Sequence, residues 1–90
     1  MQVAIGEAAG RDLGRIYDFN LGRSVAWADS VERRLPDRAS ALASNALLGR
    51  PITKDGLRRL SVTDIQYVID YRIAEEVIEI LRFQSTREGH

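Results

Sequence analysis

The stretch YVIDYRIAEEVIEILRF, Tyr67 to Phe83, decides the fold. Its first half alternates: Tyr67, Ile69, Tyr71 and Ile73 fall on one side of an extended chain, and Val68, Asp70 and Arg72 on the other. An acidic turn then leads into a second strand, which runs on to Ser85. Strands joined so closely pair as an antiparallel hairpin, because a parallel return needs about a dozen residues or more. The second strand reads as apolar on both sides. Val77, Leu81 and Phe83 lie with Glu79 on one face, while Ile78 and Ile80 precede Arg82 on the other. Such a strand belongs inside a sheet with both faces covered.

Working outward, LRRLSV at Leu57 to Val62 reads as a further strand, entered through a turn at Asp55 and Gly56. At the start of the chain, MQVAI makes a short strand that Gly6 ends. Helical spacing follows from Glu7 to about Asn20, with Ala9, Leu13, Ile16 and Tyr17 on one stripe and Arg11, Asp12, Arg15 and Asp18 on the polar side. Gly10 and Gly14 share a face that a second helix can approach. After Gly22, Ser24 is the expected N-cap of a longer helix carrying Ala28, Val31, Leu35, Leu42 and Ala46 at threes and fours. Pro36 is expected to kink or restart that helix at Asp37, and Gly49 and Pro51 to end it. The single Trp, Trp27, reads as core or rim, and Tyr67, Tyr71 and Phe83 as core.

The architecture is therefore α+β in the order β-α-α-β-β-β, one domain over residues 1–90, with a helical hairpin on one face of a small, mostly antiparallel sheet. Two helices cover one face. The other is expected to keep an apolar patch, ringed by Arg58 or Arg59, Arg72, Arg82 and Arg87, that another polypeptide seals. Asp70, Glu79 and Glu88 offer these arginines acidic neighbours across the sheet.

Composition narrows the function. With 44% hydrophobic and 29% charged residues the chain is an ordinary globular domain, with room for one core. No run of about 18 apolar residues occurs and no secretory leader is legible, so a cytoplasmic protein that does not enter a membrane is expected. Cysteine is absent, which excludes disulfides and thiolate sites. The one histidine, His90, is the last residue, so no metal site is expected. Neither GxGxxG nor GxxxxGK[ST] is present, and no cofactor is expected. A net charge of zero argues against direct sequence-specific DNA binding, although all but one of the 13 basic residues are Arg, suited to bidentate contacts.

Several segments together resemble the RelE/ParE toxins of type II toxin-antitoxin systems. AGRDLGRIYDF, Ala9 to Phe19, resembles their first-helix pattern Ala-x-x-Asp-Leu-x-x-Ile-x-x-aromatic. LLGRP, Leu47 to Pro51, resembles the motif that closes their second helix, with Ala46 where a proline is common. GLRRLSV, YVIDYRI and VIEILRFQSTRE resemble their three closing strands. The resemblance implies a toxin neutralised by a ParD- or RelB-like antitoxin, in a hetero-oligomer, through a disordered segment that folds on binding.

It also implies two branches. RelE-like members are ribosome-dependent mRNA endoribonucleases; ParE-like members poison DNA gyrase. RNA cleavage through the 2′-hydroxyl needs a base, an acid and cations around the phosphate. Carried over by position, Arg59 and Arg87 keep two cationic places, but Ser61 stands where a second Lys is found, and Val68 where a key Arg is found. No histidine is near Ser85, where several relatives have one. The set is incomplete, so a ParE-like, plasmid-stabilising gyrase inhibitor is expected rather than an enzyme, with Arg58, Arg59, Arg72, Arg82 and Arg87 as contacts to target or antitoxin. The alternatives are a RelE-like endoribonuclease using Arg59 and Arg87, and a non-toxic interaction module.

Overall fold

The computed structural model describes residues 1–86. Seven elements follow one another: β1 (Gln2–Ile5), α1 (Glu7–Leu21), α2 (Val25–Ala41), β2 (Arg50–Pro51), β3 (Leu57–Val62), β4 (Tyr67–Ala74) and β5 (Val77–Ser85). They build one sheet in the order β1-β5-β4-β3-β2, antiparallel except that β1 runs parallel to β5. The expected α+β order holds, with two short edge strands around the β3-β4-β5 meander.

α1 and α2 form the hairpin and pack their apolar stripes on one side of the sheet. Ala9, Ile16, Val31, Leu35, Ala39 and Leu42 meet Ile69, Tyr71, Ile78, Ile80 and Phe83 in the core. Tyr67 is buried with them, so all three aromatics of the hairpin are core residues. Ser24 caps α2, its hydroxyl accepting from the Trp27 N–H at 2.9 Å, and Trp27 itself is half-buried.

Several details depart from the sequence reading. β5 is not apolar on both sides. Asp70 pairs with Arg82 but Tyr71 pairs with Ile80, so an extra residue, Leu81, is accommodated in β5 as a bulge. That extra residue reverses the alternation and brings Phe83 to the same helix-facing side as Ile78 and Ile80, all three fully buried. The reason to expect a large apolar patch on the second sheet face disappears.

α2 runs unbroken through Pro36, because the buried residues Val31 and Leu35 before it and Ala39 and Leu42 after it hold both halves on the same core. Kinking aside, there is no restart at Asp37. The helix ends at Ala41 rather than near Gly49, and Arg50–Pro51 forms β2, where proline is tolerated on an edge. Around Gly10 and Gly14 an added Cβ would meet nothing within 4 Å, so no second helix approaches there. Asp12, placed on the polar side of α1 from sequence, is 3% exposed.

Candidate functional site

Asp12 shows how the helix is fixed to the sheet. Arg82 on β5 donates from Nε and Nη2 to its two carboxylate oxygens at 2.7 and 2.9 Å, Arg15 donates at 3.0 Å, and the Phe83 backbone N–H donates at 3.0 Å. Burial alone would raise this carboxyl, but the bonds from Arg82, Phe83 and Arg15 outweigh it and hold Asp12 below the ordinary carboxylate range. Phe83 lies two residues after the bulged Leu81, so Asp12 satisfies a backbone N–H close to where the ladder is interrupted.

The remaining sequence-predicted arginines do not form a ring. Arg58 lies on the helix side and donates to the carbonyls of Gly49, at 2.6 and 3.0 Å, and Leu47, at 3.3 Å. The same loop is latched by Tyr71, whose hydroxyl accepts from Gly49 N–H at 2.9 Å and donates to the Ala46 carbonyl at 2.7 Å. The approach requires glycine, since a Cβ at Gly49 would lie 2.7 Å from the Tyr71 ring. Arg72, exposed, pairs with the half-buried Glu79 at 3.3 Å. Arg59, on the open face, makes a bidentate pair with Asp70 at 2.6 and 2.9 Å. That carboxylate raises the Arg59 guanidinium pKa against the opposing effect of burial. Arg87 lies outside the described residues.

The open face does gather the positions that the family resemblance singled out. Arg59, Ser61, Val68 and Ser85 line one shallow depression of about 280 Å³. Gln84, Thr86 and Arg50 complete it. Arg50 faces Arg59 directly across the β2-β3 ladder and has no partner among the described residues. Sequence reading missed Arg50 because a two-residue strand has no alternation to detect. Its neighbour Arg59 is already neutralised by Asp70. Three hydroxyls, an amide and Val68 make up the rest, and none of these titrates near neutrality. The described part of the depression can bind an anion weakly through Arg50; it contains neither a general acid nor a general base.

Among the described residues no group of three or more His, Cys, Asp or Glu side chains is placed to hold a metal ion. Nor is any helix among them long and apolar enough to cross a membrane.

Comparison with known proteins agrees with this architecture. A chain of a chromosomal ParDE toxin-antitoxin system from P. aeruginosa superposes with a TM-score of 0.86 at 23% identity, over 97% of each chain. A chain of the RelBE2 toxin-antitoxin complex from Mycobacterium tuberculosis gives 0.60 at 24% identity, over 93% of this chain and 95% of that one. At these identities the likeness establishes the fold. No curated protein sequence matches. The family model described as "ParE toxin of type II toxin-antitoxin system, parDE" matches residues 3–89, nearly the whole length. With the hairpin, the meander and this match in agreement, the chain belongs to the ParE toxin family of type II toxin-antitoxin systems.

Proposed function

We propose that this ParE-family toxin arrests growth by binding DNA gyrase rather than by cutting RNA, and that a ParD-like antitoxin holds it inactive in a cytoplasmic hetero-oligomer serving plasmid stabilisation. One observation carries the choice. The depression at the family's nuclease positions holds Val68, Ser61 and an Arg59 whose charge Asp70 neutralises, and among the described residues it supplies no group able to move a proton near pH 7. A toxin can act without proton transfer, by occupying a surface of its target. The similar solved structures are a ParDE toxin-antitoxin system and a RelBE2 toxin-antitoxin complex, which supports an antitoxin partner here. Arg59 and Arg72 on the open face, together with Arg58, Arg82 and Arg87, are the proposed contact residues.

The test uses purified full-length toxin in two assays run together. Inhibited gyrase supercoiling with uncut messages in a translating extract is the expected result. Messages cut at ribosomes, with cutting lost in Arg87→Ala and supercoiling intact, would replace this reading with the endoribonuclease one. Unimpaired bacterial growth on expression without antitoxin would instead indicate a non-toxic interaction module.

A further inference from the structure

The sheet ends at β1 on an uncovered strand. β1 pairs on one flank only, with β5, and Gln2, Ala4 and Ile5 are exposed, so neither a helix nor a loop lies over it. Sheets usually blunt such an edge with charge, proline or a bulge. Residues 1–5, MQVAI, carry no charged side chain and no proline, and β1 keeps an unbroken register along β5.

The backbone groups on this edge can be assigned. Gly6 N–H donates to the Ile80 carbonyl at 2.9 Å, so Gly6 faces β5. Extended backbone alternates, and Gln2 and Ala4 therefore also turn their N–H and C=O groups toward β5, while Val3 and Ile5 turn theirs outward. The Met1 carbonyl shares a planar trans peptide with the Gln2 N–H and points outward too. Val3 packs against the core from the helix side, and Met1 and Ile5, on that same side by period two, stay 53% and 44% exposed. The Met1 nitrogen donates to the Ala43 carbonyl at 3.3 Å, just past the end of α2, which fixes the start of the strand. An edge ordered in advance lowers the cost of joining another.

These five residues complement themselves. When a second copy is laid antiparallel about Val3, the two Val3 residues exchange both backbone bonds and each Ile5 N–H meets the other copy's Met1 carbonyl. Met1 then lies beside Ile5 on the helix side, and Gln2 beside Ala4 on the open side. Every cross-strand pair is uncharged, and the helix-side pairs are apolar. Residues 1–5 offer a foreign strand no charge to recognise, whereas a second copy brings a matching apolar register of its own.

We propose that two copies of this chain associate through β1, antiparallel about a two-fold axis at Val3, joining two five-stranded sheets into one with both helical hairpins on the same side. The contact is small, so the dimer forms reversibly as concentration rises. It uses neither the depression at Arg50 and Arg59 nor the other arginines proposed as contacts, and it does not depend on which target the toxin meets.

Sedimentation of the full chain over a range of concentrations tests the dimer, with hydrogen exchange reporting on the edge. The apparent mass is expected to rise from one chain toward two, and the Val3 and Ile5 amides to gain protection in step. Ile5→Pro deletes one outward N–H, a change that edge strands tolerate, and is expected to give a folded monomer. Two double variants at the exposed Gln2 and Ala4 test the register without touching the core. Gln2→Lys with Ala4→Lys sets like charges opposite one another and is expected to associate about tenfold more weakly than Gln2→Glu with Ala4→Lys, which sets opposite charges there. A chain that stays monomeric, with unprotected Val3 and Ile5 amides, would overturn the proposal. So would a dimer that all three variants form as readily as the wild type, which would place the contact elsewhere. Protection of those amides only when the protein encoded by the adjacent reading frame is added would overturn it in favour of a strand from the antitoxin.

Discussion

Two bidentate arginine-carboxylate pairs, one at the seam between helix and sheet and one on the open sheet face, use the same chemistry to different ends. Asp12–Arg82 and Asp70–Arg59 have nearly equal bond lengths, and both carboxylates are almost fully buried, at 5% and 7% exposure of the side chain. Asp12, however, joins α1 to β5 and also receives Arg15 and the Phe83 N–H. Asp70 joins β4 to β3, strands that their own ladder already holds. The energetic weight of a buried pair therefore depends on what else would hold its two elements together. At the seam the pair fixes where a helix sits; on the open face it neutralises a cation.

The largest expected effect follows from the seam. Asp12→Asn removes the charge opposite Arg82 and replaces one of the two accepting oxygens with an amide donor, and is expected to cost about 3 kcal/mol in urea unfolding. The folded-state pKa of Asp12 is depressed, so its contribution is present above the ordinary carboxylate range and is lost as pH falls through the folded value. Wild-type stability should accordingly fall more steeply on acidification than that of the Asn variant, as pH-dependent unfolding will show. Asp70→Asn comes next, at about 1.5 kcal/mol, because the β3-β4 ladder already holds its two strands and Asp70 serves Arg59 alone. Equal losses at the two sites would break the contrast between seam and face. Ser24→Ala removes one cap bond at the start of α2 and is expected to cost about 1 kcal/mol by thermal unfolding. Glu79→Gln, which weakens only the long, partly exposed pair with Arg72, should change stability by less than about 0.5 kcal/mol.

Much of the fold was legible because the apolar periods of α1, α2 and β4 coincide with their buried faces. Asp12 was misplaced for a reason that can be named. It stands three residues after Ala9 and four before Ile16, inside the buried stripe by spacing, but its charge led it to be read as solvated. Asn20, four residues after Ile16, hides in the same way, and it accepts from the Trp27 indole N–H and donates to the Tyr67 hydroxyl and the Ile16 carbonyl. Burial of such groups depends on partners distant in sequence, Arg82 for one and Tyr67 and Trp27 for the other, which local periodicity does not reveal. The β5 bulge is harder still. Period-two reading assumes one residue per ladder position, and one additional residue before Phe83 inverts every later assignment. Of the candidate site, the sequence positions Arg59, Ser61, Val68 and Ser85 were legible as a set, whereas the neutralisation of Arg59 by Asp70 required the β3-β4 register.

The two edges of the sheet differ in a way that bears on handling the protein. β2 is two residues long and contains Pro51, so it offers little backbone for another strand to join. β1 is twice that length, lacks proline and leaves its outer side unpaired in the sheet order. Residues fused ahead of Met1 would extend that open border, giving intermolecular strand exchange a longer template. An affinity handle at the amino end is thus the arrangement most exposed to spurious self-association.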